Sequence, residues 1–246
     1  MTGNFYYGMS GIALPFPKTS FPPDFRDRSR LEYYASLFNS LEINSSFYKL
    51  PQIRTVAKWA DAVPDDFKFT FKLSKEITHI KNLAFQHEAV EAFMNTIRAA
   101  EHKNGCILIQ FPPSLTIETL NQLQALLSDI AFLNNGIWKL AVEFRHNSWY
   151  EKEVAEILDE YGSCMVLQDL PACITPMEYI TGETIYLRFH GPAGGYRGSY
   201  EDEHLKRYAC RINGWLSEEK TVYCYFNNTM GDAVKNLQTL VGFRKN

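Results

Sequence analysis

A (β/α)₈ barrel is the fold class that this sequence predicts, and three observations predict it. Short apolar runs rich in β-branched and aromatic residues recur about every 30 residues, roughly the length of one βα unit. Stretches with helical spacing fill most of the intervals between them. The polar residues of the runs gather at their C-terminal ends, where barrels carry their sites. A doubly wound open sheet is the main alternative. However, no G-x-G-x-x-G follows the first run and no G-x-x-x-x-G-K-[ST] occurs anywhere, which removes the usual nucleotide-binding reasons for preferring it.

Eight runs are expected as strands, centred on 5–8, 40–43, 68–72, 106–110, 139–143, 164–167, 185–187 and 221–225. The first helix is marked by Leu31, Tyr34, Ala35 and Phe38, with Ser29 and Glu32 in capping-box register at its start. Further helices follow from Val56, Trp59, Ala60 and Val63; from Val90, Phe93, Ile97 and Ala100; and from Leu120, Leu123, Leu127 and Ile130. Val154, Ile157, Leu158 and Tyr161 give the next, then Leu205, Tyr208, Ala209 and Ile212, and finally Ala233, Leu237, Leu240 and Val241. The sixth connection, 171–181, is short and holds two prolines, leaving room for little more than a helical turn. With no linker or low-complexity tract in its 246 residues, the chain is expected to be one barrel domain over 1–246.

Apolar residues at 46% suffice for a sizeable core, and a formal charge of -3 argues against bulk nucleic acid or an anionic membrane surface as the partner. The five cysteines show no C-x-x-C pair, so reduced and mostly buried thiols are expected. No signal-like segment opens the chain and no run approaches a membrane span. A cytoplasmic protein is expected.

Glu42, Asn44, Tyr48, Lys72, Gln110, Glu143, Arg145, Asp169, Arg188, His190 and Asn227 all fall at or just past strand ends. Burying so many charges costs several kcal/mol each unless they pair, so the plain alternative to a site is an ion-pair network closing the barrel top. Glu143 and Arg145, two apart, share one strand face, and the arginine would keep the carboxylate ionised. Arg188 and His190 repeat that spacing and, with Lys72, suggest an anion clamp. His190 is the candidate general acid or base, ahead of His79 and His146 in the loops. The glycine-rich stretch 191–198 sits where barrels place phosphate, although a mobile lid has the same composition.

A metal is conceivable from Glu42, Glu143, Asp169 and His190, but no compact motif supports one and it is not favoured. Glycoside hydrolysis is discounted, because the positions after strands four and seven read Gln110 and Arg188 rather than carboxylates. Phe47, Tyr48, Trp149 and Tyr196 could stack on a sugar or base.

Five ordered blocks carry a family resemblance: 42–48 (EINSSFY), 110–113 (QFPP), 142–149 (VEFRHNSW), 186–191 (YLRFHG) and 226–228 (FNN). They resemble the signature blocks of the YecE-like family, domain of unknown function 72. The resemblance implies a single TIM-like barrel and supplies no reaction. One departure is Ile12 after Ser10-Gly11, where the family pattern has a tryptophan forming an aromatic wall.

The residues thus point to an enzyme acting by acid-base chemistry on a small anionic, phosphorylated or polyhydroxylated substrate. Glu143 and His190 would move protons, Lys72, Arg145 and Arg188 would hold the anion, and Glu42, Asp169, Asn44 and Asn227 would orient the substrate or a metal. A nucleic-acid-binding or nuclease-like barrel and a non-catalytic ligand sensor are the alternatives.

Overall fold

The structure, a computed structural model, describes residues 2–180 and 182–245. It is an α/β fold in which every strand pairing is parallel. The strands are β1 (Phe5–Met9), β2 (Ser40–Ile43), β3 (Lys68–Lys72), β4 (Asn104–Gln110), β5 (Lys139–Glu143), β6 (Ser163–Met165), β7 (Leu167–Gln168), β8 (Thr184–Phe189) and β9 (Thr221–Phe226).

They form two sheets, ordered β1-β9-β8-β7 and β2-β3-β4-β5-β6. The sheets meet at two seams. At one, Ser10 just beyond β1 makes a parallel bridge with Glu42 of β2. At the other, β6 and β7 are consecutive pieces of one extended segment, the expected sixth strand, divided at Val166. The Val166 amide donates to Val142 of β5 at 2.9 Å, while its carbonyl accepts from Thr175 Oγ1 at 2.8 Å. One residue therefore passes the chain from β5 on one sheet to β8 on the other.

Two separate apolar clusters follow from the period-two alternation of the strands. The larger lies between strands and helices. The smaller takes Cys106 and Leu108 of β4, Ala141 of β5, Cys164 of β6, Val166, Tyr186 of β8 and Tyr223 and Tyr225 of β9. Its members come from both sheets, so the two sheets enclose a common interior. Tyr225 also ties it together by hydrogen bonds to Ser40 at 2.6 Å and Thr70 at 2.9 Å.

The helices are α1 (Arg30–Leu37), α2 (Ser45–Tyr48), α3 (Ile53–Asp61), α4 (Lys75–Thr78), α5 (His87–Ile97), α6 (Leu120–Asn134), α7 (Lys152–Glu160), α8 (Asp202–Ser217) and α9 (Ala233–Lys245). The capping box of α1 is present in both directions between Ser29 and Glu32. The sixth connection holds only a 3₁₀ turn, Met177–Tyr179; its last residue, Thr181, lies outside the described residues. The one-turn helices α2 and α4 carry no apolar periodicity of their own and are held in βα loops. All five cysteines are free, and four of them are buried. No helix among the described residues is long and apolar enough to cross a membrane.

Candidate functional site

The C-terminal strand ends carry a charged cluster resting directly on the enclosed core. Arg188, only 2% exposed, is its hub. Its Nε and Nη2 donate to the two carboxylate oxygens of Glu42 at 3.0 and 2.7 Å, and its Nη1 donates to Glu143 Oε2 at 2.5 Å. Tyr186, two residues earlier on β8 and so on the same face, donates its hydroxyl to Glu42 Oε2 at 2.6 Å. Glu143 Oε1 accepts from Arg145, and His190 Nε2 lies 3.6 Å from that same oxygen. Asn227 Nδ2 lies 3.0 Å from His190 Nδ1, and Arg145 Nη2 lies 3.4 Å from its Nε2.

Burial raises the Glu143 carboxyl, but Arg145 and Arg188 overcome it and hold the group well below the carboxylate range. Glu42 is lowered in the same way, with burial opposed by the Arg188 charge. For His190 burial wins over the attraction of Glu143 and draws the ring down to about 4. It is therefore neutral at physiological pH and not poised near 6.5. Asp169 is raised by burial, although the His190 amide donates to Oδ1 at 2.7 Å and Tyr200 to Oδ2.

Above the cluster opens a cleft of about 310 Å³ lined by Ser10, Asn44, Tyr48, Lys72, Arg145, Arg188, Tyr196, Asn227, Thr229 and Met230. It contains three cationic side chains and no carboxylate. Lys72, at the end of β3, donates to Gln110 Oε1 at 2.7 Å, and its nitrogen stands 4.1 Å from the Phe47 ring centroid. Burial first, and then the Arg188 charge, draws Lys72 down to about 8. Tyr48, 70% exposed, and Met230 form the outer lip. Tyr196 is held at φ +62° by backbone bonds from its amide to His190 and from Met230 to its carbonyl, which seats its ring edge-on to His190. Such backbone costs about 1–3 kcal/mol and persists only where neighbours impose it.

Most residues expected at the site thus come to one place, but several are not where a ligand could touch them. Glu42, Glu143 and His190 are fully buried beneath the cleft. Asp169 opens on a neighbouring cleft, with Tyr200, His204 and Tyr208. Trp149 is no stacking platform: it is fully buried, stacked on Phe144 at 4.6 Å, and its indole donates to the Leu115 carbonyl. Gln110 serves Lys72 rather than the cleft, and Ile12 packs against the helix-side core.

The 191–198 stretch is tied down by its own backbone and by the segment after β9. Its Gly194 and Tyr196 amides are spent on Gly191 and His190 carbonyls, and the Asp232 amide donates to the Gly198 carbonyl. The oxygen and nitrogen set weighed for a metal is likewise dispersed, since Glu42 and Glu143 spend their oxygens on guanidinium groups. Among the described residues no group of three or more His, Cys, Asp and Glu is arranged to hold a metal ion.

Tyr186 and Tyr200 are the residues that sequence reasoning missed. Tyr186 was detectable, because it extends the period-two row of Arg188 and His190. Tyr200 reaches Asp169 across 31 positions through a loop, with no local signal.

The geometry defines the class first: an α/β protein of parallel strands with a buried charged cluster at their C-terminal ends. The chain belongs to the family described as "Protein of unknown function DUF72", which it matches over residues 6–244. It is similar to the UPF0759 protein YunF of Bacillus subtilis, at 27% identity over 88% of this chain and 86% of that one. It is also similar to the UPF0759 protein YecE of Escherichia coli, at 29% identity over 57% of this chain and 51% of that one. Among solved structures, a DUF72 family protein from Enterococcus faecalis superposes with a TM-score of 0.82 at 24% identity, covering 98% of this chain and 96% of that one. One from Thermotoga maritima gives 0.78 at 27%, covering 99% and 100%. SacUVDE gives 0.57 at 11% over both full lengths, a likeness of fold alone.

Proposed function

We propose that the chain is a single-domain (β/α)₈ barrel in which β6 and β7 act as one strand and the Ser10–Glu42 bridge closes the ring. Its open end binds a small anionic molecule, and the protein acts on that molecule as an enzyme. The observation that carries this reading is the lining of the cleft, with three cations and no carboxylate. Glu42 and Glu143 beneath it supply two negative charges against three positive ones from Lys72, Arg145 and Arg188, leaving one positive charge at the open side. Asp169 lies outside this lining and opens on the neighbouring cleft.

In this reading Lys72, Arg145 and Arg188 hold the anion, while Asn44, Asn227 and Tyr196 shape the rest of the pocket. Glu143, Glu42 and His190 are positioning residues: the carboxylates fix the two guanidinium planes, and the neutral ring packs behind them. A small ligand is favoured over a nucleic-acid strand because the chain carries net negative charge. Five free cysteines suit a reducing compartment, the cytoplasm.

Thermal-shift screening against phosphorylated and carboxylated small molecules tests the reading. A stabilising anion should lose its effect in Arg145→Met, and a screen in which only neutral molecules stabilise the protein would refute it. Turnover of a hit separates enzyme from sensor.

A further inference from the structure

Lys72 differs from the other two cations of the cleft. Arg145 and Arg188 are each bound to a carboxylate. Lys72 has only a neutral acceptor, Gln110 Oε1, on one side and the face of Phe47 on another, with no carboxylate within ion-pair distance among the described residues. Its burial and the neighbouring guanidinium groups favour the free amine over the ammonium ion, against the Phe47 face and Gln110 Oε1, which both favour the ammonium. Glu143 and Glu42 favour the ammonium too, and the net result is the value of about 8.

At pH 7 about one molecule in ten would then carry a free amine, against about four in ten thousand for an ordinary lysine. His79, edge-on to Phe47, feels the Lys72 charge and is itself drawn down to about 4, by burial first and by Lys72 next. An anion clamp needs none of this, because it asks only for fixed positive charge, which an arginine keeps throughout the physiological range.

We propose that Lys72 is a nucleophile that condenses with the carbonyl carbon of a small α-oxo acid whose carboxylate lies against Arg145 and Arg188. The amine nitrogen bonds to the carbonyl carbon as the C=O π pair moves onto oxygen, and a proton passes through water from the nitrogen to that oxygen, forming a neutral carbinolamine. The carbinolamine oxygen then takes up a proton, the C–O bond breaks, and water leaves. A protonated imine remains, carrying the same single positive charge that the ammonium carried, so the balance with Glu42 and Glu143 is undisturbed. The proposal rests on the anion-binding reading of the cleft.

The full chain is incubated with glyoxylate and sodium cyanoborohydride between pH 6 and 9, and the products are mapped by peptide mass. The expected product is one carboxymethyl group on Lys72. It should form at least about tenfold faster than at any other lysine, slow as pH falls below about 8, and be suppressed by inorganic phosphate. Lys72→Arg keeps the charge and should bind phosphate with no preferred labelling.

Labelling of Lys72 no faster than that of surface lysines overturns the proposal, as does labelling that phosphate leaves untouched. A parallel thermal-shift titration with phosphate separates the two claims. Phosphate stabilisation without preferred labelling removes the nucleophile and leaves the anion site standing; loss of both removes the site as well.

Discussion

Replacing Arg188 with methionine should be among the most destabilising single changes in this protein. The guanidinium makes three hydrogen bonds, of 2.5, 2.7 and 3.0 Å, to two carboxylates that are themselves fully buried. Methionine fills much of the volume but leaves Glu42 without a cation, although the Tyr186 hydroxyl remains, while Glu143 keeps Arg145. Breaking a buried pair by removing one partner costs about 3–5 kcal/mol, because a charge is stranded. In a chain of this size that corresponds to a fall in melting temperature of about 6–20 °C.

The loss should also depend on pH. In the native chain Glu42 is held low, so its share of stability is complete above its unfolded value of about 4.3 and fades as pH falls through the folded value. In the variant burial acts almost alone and raises the carboxyl above that unfolded value, so the penalty is greatest at neutral pH and relieved as acid protonates Glu42. Urea denaturation of both proteins at pH 7 and pH 5 should show the gap narrowing, and Glu42→Gln in the variant background should recover part of the loss. A pH-independent loss under about 1 kcal/mol, the worth of an exposed pair, would refute the reasoning.

Three further outcomes follow from the same geometry. Tyr200→Phe removes the hydroxyl that donates to Asp169 and accepts from the Gly191 amide at 2.6 Å, stranding buried polar groups on both sides; about 1–3 kcal/mol should be lost in chemical denaturation. Gly191→Ala forces a Cβ to 2.2 Å from the Arg197 carbonyl oxygen at φ +101°, and should cost at least about 2 kcal/mol and displace Tyr196, which tyrosine fluorescence and melting temperature can follow. Because His190 titrates at about 4 when folded and about 6.5 when unfolded, the unfolded chain binds the extra proton between those values. Stability should therefore decline by about 3 kcal/mol from this group as pH falls from 6.5 to 4, and His190→Gln should flatten that part of the profile.

Much of this architecture is legible in the chain because strand patterning is local. The runs 40–43, 68–72 and 139–143 coincide with β2, β3 and β5, and the Ser29–Glu32 box starts α1 as read. The division at Val166 was not legible, since it depends on which neighbour each backbone group meets, Val142 on one side and Thr175 on the other.

The convergence of Glu42, Glu143 and Arg188 could be inferred from their shared strand-end positions, but their depth could not. Sequence position says which end of a strand a side chain occupies; whether it faces a cleft or lies beneath one depends on what packs above it. Arg145, Lys72 and Tyr196 take the cleft here, and Glu143 and His190 are covered by them. Trp149 shows the same limit, because an aromatic at a loop start can serve as a stacking surface or as core, and Phe111 and Phe144 make it core.

The central claim is that one positive charge is left uncompensated in a cleft at the C-terminal strand ends. Calorimetric titration with inorganic phosphate at low salt tests it most directly. One saturable site is predicted, weakened at least about tenfold, or about 1.4 kcal/mol, in Lys72→Met, a variant that breaks no ion pair with a carboxylate. Absence of binding, or equal affinity in the variant and the natural chain, would contradict it.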